Sequence, residues 1–326
     1  MIGNFFNALK MLFIWQICNV LFFLSILILI VILGVAVGPT VDPSNSQHSV
    51  ISKGSSSSKG YILQIPMEGI IMKNDKESIF DETIGPYERI VADLKAAEED
   101  DNVQAVLFVV NSPGGSVSVC DRLYQIIKDF KEKTKIPVYA FYESVAASGG
   151  VYTTVASNYI MAAPTCVTGS VGVIMGGINV LELMDKIGVK EQTYKSGALK
   201  DMGSGSRKST EEETLLIQGI VDELFTRFVD IVVEGRKEKV KRDDIINLKG
   251  AFFLPQRALE NGLIDEIGSY ELIVKKIRDD LDQNLNVINY AQKTEWERMF
   301  NVFGTLVPKN MRQRLELQGP LYLFEI

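Results

Sequence analysis

The stretch E-S-V-A-A-S-G-G-V-Y, residues 143–152, sets Ser148 directly before two glycines and just after the strand-like run Val138–Tyr142. A serine there would sit where a strand ends and a helix begins, with the Gly149 N–H beside it. That is the placement of a nucleophile turn, in which the next residue's amide completes an oxyanion hole. The motif is not G-x-S-x-G, so the analogy is geometric; taken alone, the simplest role of a serine before a helix is to cap it. A second glycine turn, N-S-P-G-G-S at 111–116, follows the apolar run V-L-F-V-V. Lacking Cβ atoms, it can turn sharply and present N–H groups to a developing oxyanion, where one donor is worth about 3 kcal/mol. An ordinary strand-to-helix turn would carry the same residues.

A serine nucleophile needs a proton acceptor, and the chain has one histidine. His48 lies in the polar stretch G-P-T-V-D-P-S-N-S-Q-H-S-V, which reads as a linker and cannot be fixed against a folded site. The remaining candidates are Lys, Asp and Glu. A lysine serves only as the neutral amine, which requires desolvation. Lysines in K-E-K-T-K and R-K-E-K-V-K-R are solvated by their own charge runs. Lys200 has different company, in the small-residue loop Y-K-S-G-A-L-K-D-M-G-S-G-S-R, from which it could fold inward. Its neighbour Asp201 works against it by favouring the charged amine.

The elements that must position these residues follow a βαβ pattern. Y-I-L-Q-I, V-Q-A-V-L-F-V-V, P-V-Y-A-F-Y and N-Y-I-M-A read as strands, the longer ones nearly continuous and so buried on both faces. V-T-G-S-V-G-V-I is a further strand candidate. Between the second and third strands, Leu123, Ile126, Ile127 and Phe130 recur at helical spacing, which implies a largely parallel sheet covered by helices. A long helix follows the lysine loop: Ser209 can cap it, Glu212 can reach back, and Ile217, Ile220, Val221, Leu224, Phe228 and Ile231 form one apolar stripe. Core packing is the simplest use of that stripe, with a subunit interface as the alternative.

Before the first strand, residues 11–38 contain no charged side chain and are long enough for a helix to span a bilayer core of about 20 apolar residues. This length favours an uncleaved anchor over a signal peptide. Lys10 precedes the span and Asp42 is the first charge after it, a weak signal that places the C-terminal part outside the cytoplasm. Residues 39–60 are rich in Ser, Gly and Pro and read as a flexible tether with a reach of roughly 25 Å. The expected organisation is a short N-terminal segment at 1–10, an anchor at 11–38, a linker at 39–60, a folded domain at 61–285 and a C-terminal extension at 286–326.

Net charge −7 argues against a nucleic-acid binder. The three cysteines, Cys18, Cys120 and Cys166, have no paired spacing, which argues against a disulfide framework or a thiolate zinc site. Cys120 and Cys166 are expected to pack as small buried hydrophobes.

Together V-N-S-P-G-G-S, V-A-A-S-G-G-V-Y, T-C-V-T-G-S-V-G-V-I-M, S-G-A-L-K-D-M-G-S and A-L-E-N-G-L-I-D-E-I-G, in that order across residues 61–270, resemble the signal peptide peptidase A family. These are membrane-anchored bacterial serine peptidases with a crotonase-like fold related to the Clp protease. The resemblance implies an α/β fold with a parallel sheet and flanking helices, preceded by one transmembrane helix. It implies Ser148 as nucleophile, Lys200 as general base, Ser170 as the hydroxyl that hydrogen-bonds the lysine, and the Gly115 amide in the oxyanion hole; a share for Gly149 is the geometric inference above. It further implies no cofactor or metal and peptide substrates such as signal-peptide remnants. By the same resemblance the protein would be a homo-oligomeric ring at the bacterial inner membrane, with a single-pass anchor, an extracytoplasmic catalytic domain, and Ser and Lys drawn from one chain or from neighbours. Two positions depart from the family pattern: Ser204-Gly205 stands where Ser-Pro is common, which would loosen the lysine loop, and Val151 replaces a frequent tyrosine, which would alter a substrate wall. The rival readings are a crotonase-type acyl-CoA enzyme and a non-catalytic scaffold of the same fold.

Overall fold

The computed structural model describes residues 48–55, 59–73 and 85–290, with a few positions between 15 and 25. The compact unit runs from Gln47 to Ala291. Its elements in chain order are β1 (His48–Ser52), β2 (Tyr61–Glu68), α1 (Pro86–Glu98), β3 (Val103–Ser112), α2 (Val117–Thr134), β4 (Val138–Ala147), α3 (Gly149–Thr154), β5 (Tyr159–Ala162) and β6 (Val167–Gly169). They continue with α4 (Leu181–Lys186), α5 (Glu211–Arg236), α6 (Arg242–Asn247), β7 (Phe252–Phe253), α7 (Pro255–Glu260), β8 (Glu266–Ile267), α8 (Tyr270–Leu281) and β9 (Asn286–Tyr290).

One mixed sheet runs in the order β1-β9-β2-β3-β4-β5-β8, with β6 paired to the far end of β4 and β7 antiparallel to β6. The pairs β9–β2, β2–β3, β3–β4, β4–β5 and β5–β8 are parallel. The apolar run of β3 is continuous because helices cover both sheet faces. Its Val106, Phe108 and Val110 join Leu123, Ile127 and Phe130 of α2 on one face. Ala105, Leu107 and Val109 meet Ile273, Val274 and Ile277 of α8 on the other. Cys120 and Cys166 are buried as expected, and burial pushes both thiols up to about 12.

Several expectations are corrected. The linker expected at 39–60 contains a strand: β1 pairs antiparallel with β9 and closes the edge of the sheet. The domain also continues past residue 285, because β9 pairs with β2 between Tyr61↔Asn286 and Leu63↔Ile288. Both strands are short and border polar sequence, so their pairing is set by the sheet and not by local pattern. The strand expected over V-T-G-S-V-G-V-I stops at Gly169, where Gly169 and Ser170 both take positive φ, 87° and 54°. The cap of the long helix is Thr210, one residue later than expected. Its hydroxyl accepts from Glu213 N at 3.1 Å while the Glu213 carboxylate accepts from Thr210 N at 2.8 Å. The apolar stripe of α5 is core only in its second half: Phe228 and Ile231 are buried, whereas Ile220 is 41% exposed beside exposed Leu215 and Leu216.

Among the described residues no helix is long and apolar enough to cross a membrane. The span expected at 11–38 lies largely outside the described residues, as do the extension beyond Tyr290 and most of the linker.

The end of α5 is fixed to the sheet by a buried ion pair. Arg236 donates to Asp265 at 2.8 and 3.0 Å and to Gly262 O at 2.8 Å, and Asp265 also accepts from Ile160 N at 2.8 Å. Burial alone would raise the Asp265 carboxyl, but the hydrogen bonds from Arg236 and Lys239 outweigh it and hold the group below its ordinary range. A depressed folded-state value means that this stability is present above the unfolded value near pH 4 and is lost as the pH falls through the folded one. Replacing Arg236 by Leu removes the buried partner of Asp265 and leaves it Lys239 and the Ile160 amide, so urea denaturation at pH 7 should show a loss of about 2–3 kcal/mol that narrows in acid. An unchanged midpoint would remove the pair from the account of stability.

Candidate active site

Ser148 stands at the junction of β4 and α3. β4 ends by pairing Ala147 with Gly169 of β6, and Ser148 N then donates to Gly169 O at 3.0 Å. Helix α3 starts at once, with Tyr152 N donating to Ser148 O at 2.9 Å. The chain can make this change of direction only with Ser148 at φ 51° and ψ −116°, a conformation that side chains disfavour by about 1–3 kcal/mol. The hydroxyl makes no capping bond, and among the described residues it has no hydrogen-bond partner. The cap that the sequence suggested is thus absent, and the half-buried hydroxyl is left available.

The second glycine turn packs directly against this junction. A Cβ on Gly114 would lie 2.5 Å from Gly149 N and 3.0 Å from Ser148 Cβ, and one on Gly149 would lie 3.0 Å from Gly115 N and 2.4 Å from Cys120 Sγ. Only glycine fits on either side of this contact. The turn is braced from behind by Ile71, whose N donates to Gly114 O at 2.9 Å and whose O accepts from Ser116 N at 2.8 Å. Ser112 Oγ adds bonds to Gly69 O at 2.6 Å and from Gly114 N at 3.1 Å. The structure therefore brings Ser148, Gly149 and Gly115 together, with exposed Gly115 beside the serine.

Ser170 follows Gly169 and lies next to the junction, its own N donating to Ala251 O at 2.7 Å. Lys200 is a different matter. Its side chain is exposed, and among the described residues it has no hydrogen bond or ion pair and is not linked to Ser148 or Ser170. Its loop belongs to a long excursion, Gly172 to Glu212, in which no residue is buried. Ile174, Ile178, Leu183, Ile187 and Tyr194 are among its exposed side chains.

Within one chain the backbone of His48 lies far from Ser148. Its strand β1 is four positions from β4 in the sheet, roughly 19 Å at the usual strand spacing. Neither departure from the family pattern acts as expected. Val151 is 1% exposed and packs in the core, so it is no substrate wall. Gly205 does not loosen its loop: its carbonyl accepts from Val180 N at 2.7 Å, and a Cβ there would lie 2.3 Å from Ile178 O. Tyr152 instead anchors α3, its hydroxyl donating at 2.6 Å to Asp121, which also accepts from Arg227 at 2.6 and 2.9 Å. Sequence reasoning missed Ile71, the place of Cys120 against Gly149, and this anchor, since a bridge from the end of β2 brings in the first and the packing of α2 and α5 on α3 brings in the others.

A family model described as peptidase family S49 matches residues 130–284, and one described as Clp protease matches residues 78–167. A protein of Enterococcus faecium that carries the name signal peptide peptidase SppA is 34% identical over 248 residues, 76% of this chain and 71% of that one. A protein of Synechocystis named as a protease is 37% identical over 190 residues, 57% of this chain and 66% of its own length. Protease 4 of Haemophilus influenzae is 30% identical over 238 residues; this chain spans only 37% of its length.

The close approach of the two glycine turns has a measurable consequence. Gly149→Ala should cut peptidase kcat by about 100-fold or more, because its methyl displaces the amides of both turns. The second change Cys120→Ala should recover part of that loss by removing the nearest obstruction. Steady-state kinetics on both variants, with wild-type rates in Gly149→Ala as the contrary outcome, decide the point.

Proposed function

Because the chain belongs to the peptidase S49 family, that of the SppA signal peptide peptidases, we propose that this serine protease is an endopeptidase working through a Ser148–Lys200 dyad. The observation that carries the reading is the Ser148 junction: a strained serine with an unengaged hydroxyl, packed against the Gly114–Gly115 turn, in a chain whose one histidine is on the far edge of the sheet. In the proposed reaction, neutral Lys200 accepts the Ser148 proton as Oγ attacks a scissile carbonyl. The Gly115 and Gly149 amides hold the oxyanion, and Ser170 orients the lysine. Lysine then protonates the leaving amine and activates the water that releases the acyl-enzyme. No metal or organic cofactor takes part.

The exposed lysine and the apolar excursion around it favour a dyad completed between chains. In this reading a neighbouring copy covers Ile174, Ile178 and the outer face of α5, and delivers Lys200 to Ser148 within a ring. Substrates are extended apolar peptides, signal-peptide remnants among them, bound as an added strand with side-chain pockets. An anchor at residues 11–38 would hold the enzyme in a bacterial inner membrane, with its catalytic domain outside the cytoplasm and next to emerging peptides. A crotonase-type acyl-CoA enzyme would also use amides beside a glycine turn, but it gives Ser148 and Lys200 no joint role.

Ser148→Ala and Lys200→Ala should each lower kcat by about 10³-fold or more with the circular dichroism spectrum unchanged. Mixed oligomers of the two inactive chains should regain part of the activity. Full cleavage by both single variants sinks the dyad; no recovery in verified mixed oligomers places both groups in one chain.

A further inference from the structure

The loop that carries Lys200 is held by its neighbours and not by the lysine itself. Arg207 donates to Asp201 at 2.7 and 2.9 Å and to the Asp201 carbonyl at 3.3 Å. The same guanidinium donates to Glu213 Oε2 at 2.8 Å and also contacts Glu213 Oε1. Glu213 is 1% exposed and closes the capping box at the start of α5. Lys195 completes the group, donating to Asp201 at 2.7 Å and to Ala198 O at 3.1 Å. One arginine thus joins the residue after Lys200 to the first turn of α5, the longest helix among the described residues.

The arrangement also answers the objection that Asp201 raises against a lysine base. Hydrogen bonds from Arg207, and then from Lys195, hold the Asp201 carboxyl well below its ordinary range, so it is fully ionised and committed to cations other than Lys200. The charges of Lys195, Arg207, Asp201 and Glu213 sum to zero. Glu191 is a further charge near Asp201 and Arg207, accepting from Thr193 at 2.6 Å, and exposed Lys208, Glu211 and Glu212 flank the group in sequence.

We propose that Arg207 is a positioning residue for the general base: it fixes the Lys200 loop to the cap of α5 and neutralises Asp201, so that the adjacent carboxylate does not hold the lysine in its charged form. This rests on Lys200 as the base. It assigns Arg207 an effect on both the placement and the protonation of that amine, without contact with substrate.

The test is a set of pH–rate profiles for the full-length oligomer on an apolar peptide, with thermal stability and oligomeric state recorded for every variant. The rising limb reports the base losing its proton. Arg207→Gln leaves one uncompensated negative charge and should move that limb up by about half a pH unit, lowering kcat at pH 7 several-fold with KM nearly unchanged. Asp201→Asn should move it down by a similar amount, and the double variant should bring it back to the wild-type position. Arg207→Lys keeps the charge but loses the fork, so it should hold the limb while lowering kcat. A limb that stays fixed in both single variants overturns the proposal, whether activity is kept or falls in step with stability. If Arg207→Gln does not assemble, Asp201→Asn decides alone, since it keeps the side chain's size. Lys200→Ala separates the two claims: wild-type activity there defeats the dyad, whereas its loss together with an unmoved limb defeats only the role of Arg207.

Discussion

The structure depends on a backbone conformation that Ser148 would not adopt by itself. At φ 51° the residue is held in a disfavoured region, and such strain persists only where the surroundings over-determine it. Here the surroundings are specific. The β4–β6 pairing delivers the chain to Gly169 O, α3 starts without a spacer, and the Gly114–Gly115 turn fills the space beside it. Gly114 and Gly149 follow from this contact, because a methyl group on either would crowd the other turn, and Gly115 follows from the close approach of Ile71. So does the burial of Val151 and Tyr152, which tie the six-residue helix into the core and to Asp121.

The other half of the proposed site obeys the opposite logic. From Gly172 to Glu212 the chain buries nothing, yet it carries large apolar side chains in contact with water. Exposed apolar side chains in such number are more typical of an interaction site than of a free monomer face. Its internal order comes from polar bonds instead: the Val180–Gly205 pairing, the Arg207 fork and the Thr210–Glu213 capping box. The Ser148 junction is held by packing against the core and by the neighbouring glycine turn. The lysine loop is shaped by hydrogen bonds and waits, in the proposed reading, for a surface to rest on.

Much of this was legible in the sequence. The continuous run V-L-F-V-V reads as a doubly covered strand because side chains on both faces need apolar partners, and β3 has them. The spacing of Leu123, Ile127 and Phe130 gives α2 for the same reason. Short elements were not legible: β1 and β9 carry weak local signals and exist because each completes the other's hydrogen bonds at the sheet edge. The cap of α5 was displaced by one residue because Ser209 and Thr210 are both competent caps, and only the reach of Glu213 chooses between them. Gly205 was misread because a glycine in a loop suggests freedom, while here it marks a close approach to Ile178 O.

By itself the sequence determined the α/β architecture, the two glycine turns and the scarcity of imidazole, one histidine in the chain, since these rest on residue type and on the periodicity of burial. It also supplied Ser148 and Lys200 as candidates, fifty-two positions apart. Only the tertiary structure decided that Ser148 is strained and not a cap, that Gly149 must be glycine, and that Arg207 answers for the charge on Asp201. Those facts depend on atoms brought within a few ångströms by packing between distant segments, and no local pattern in the chain encodes such distances.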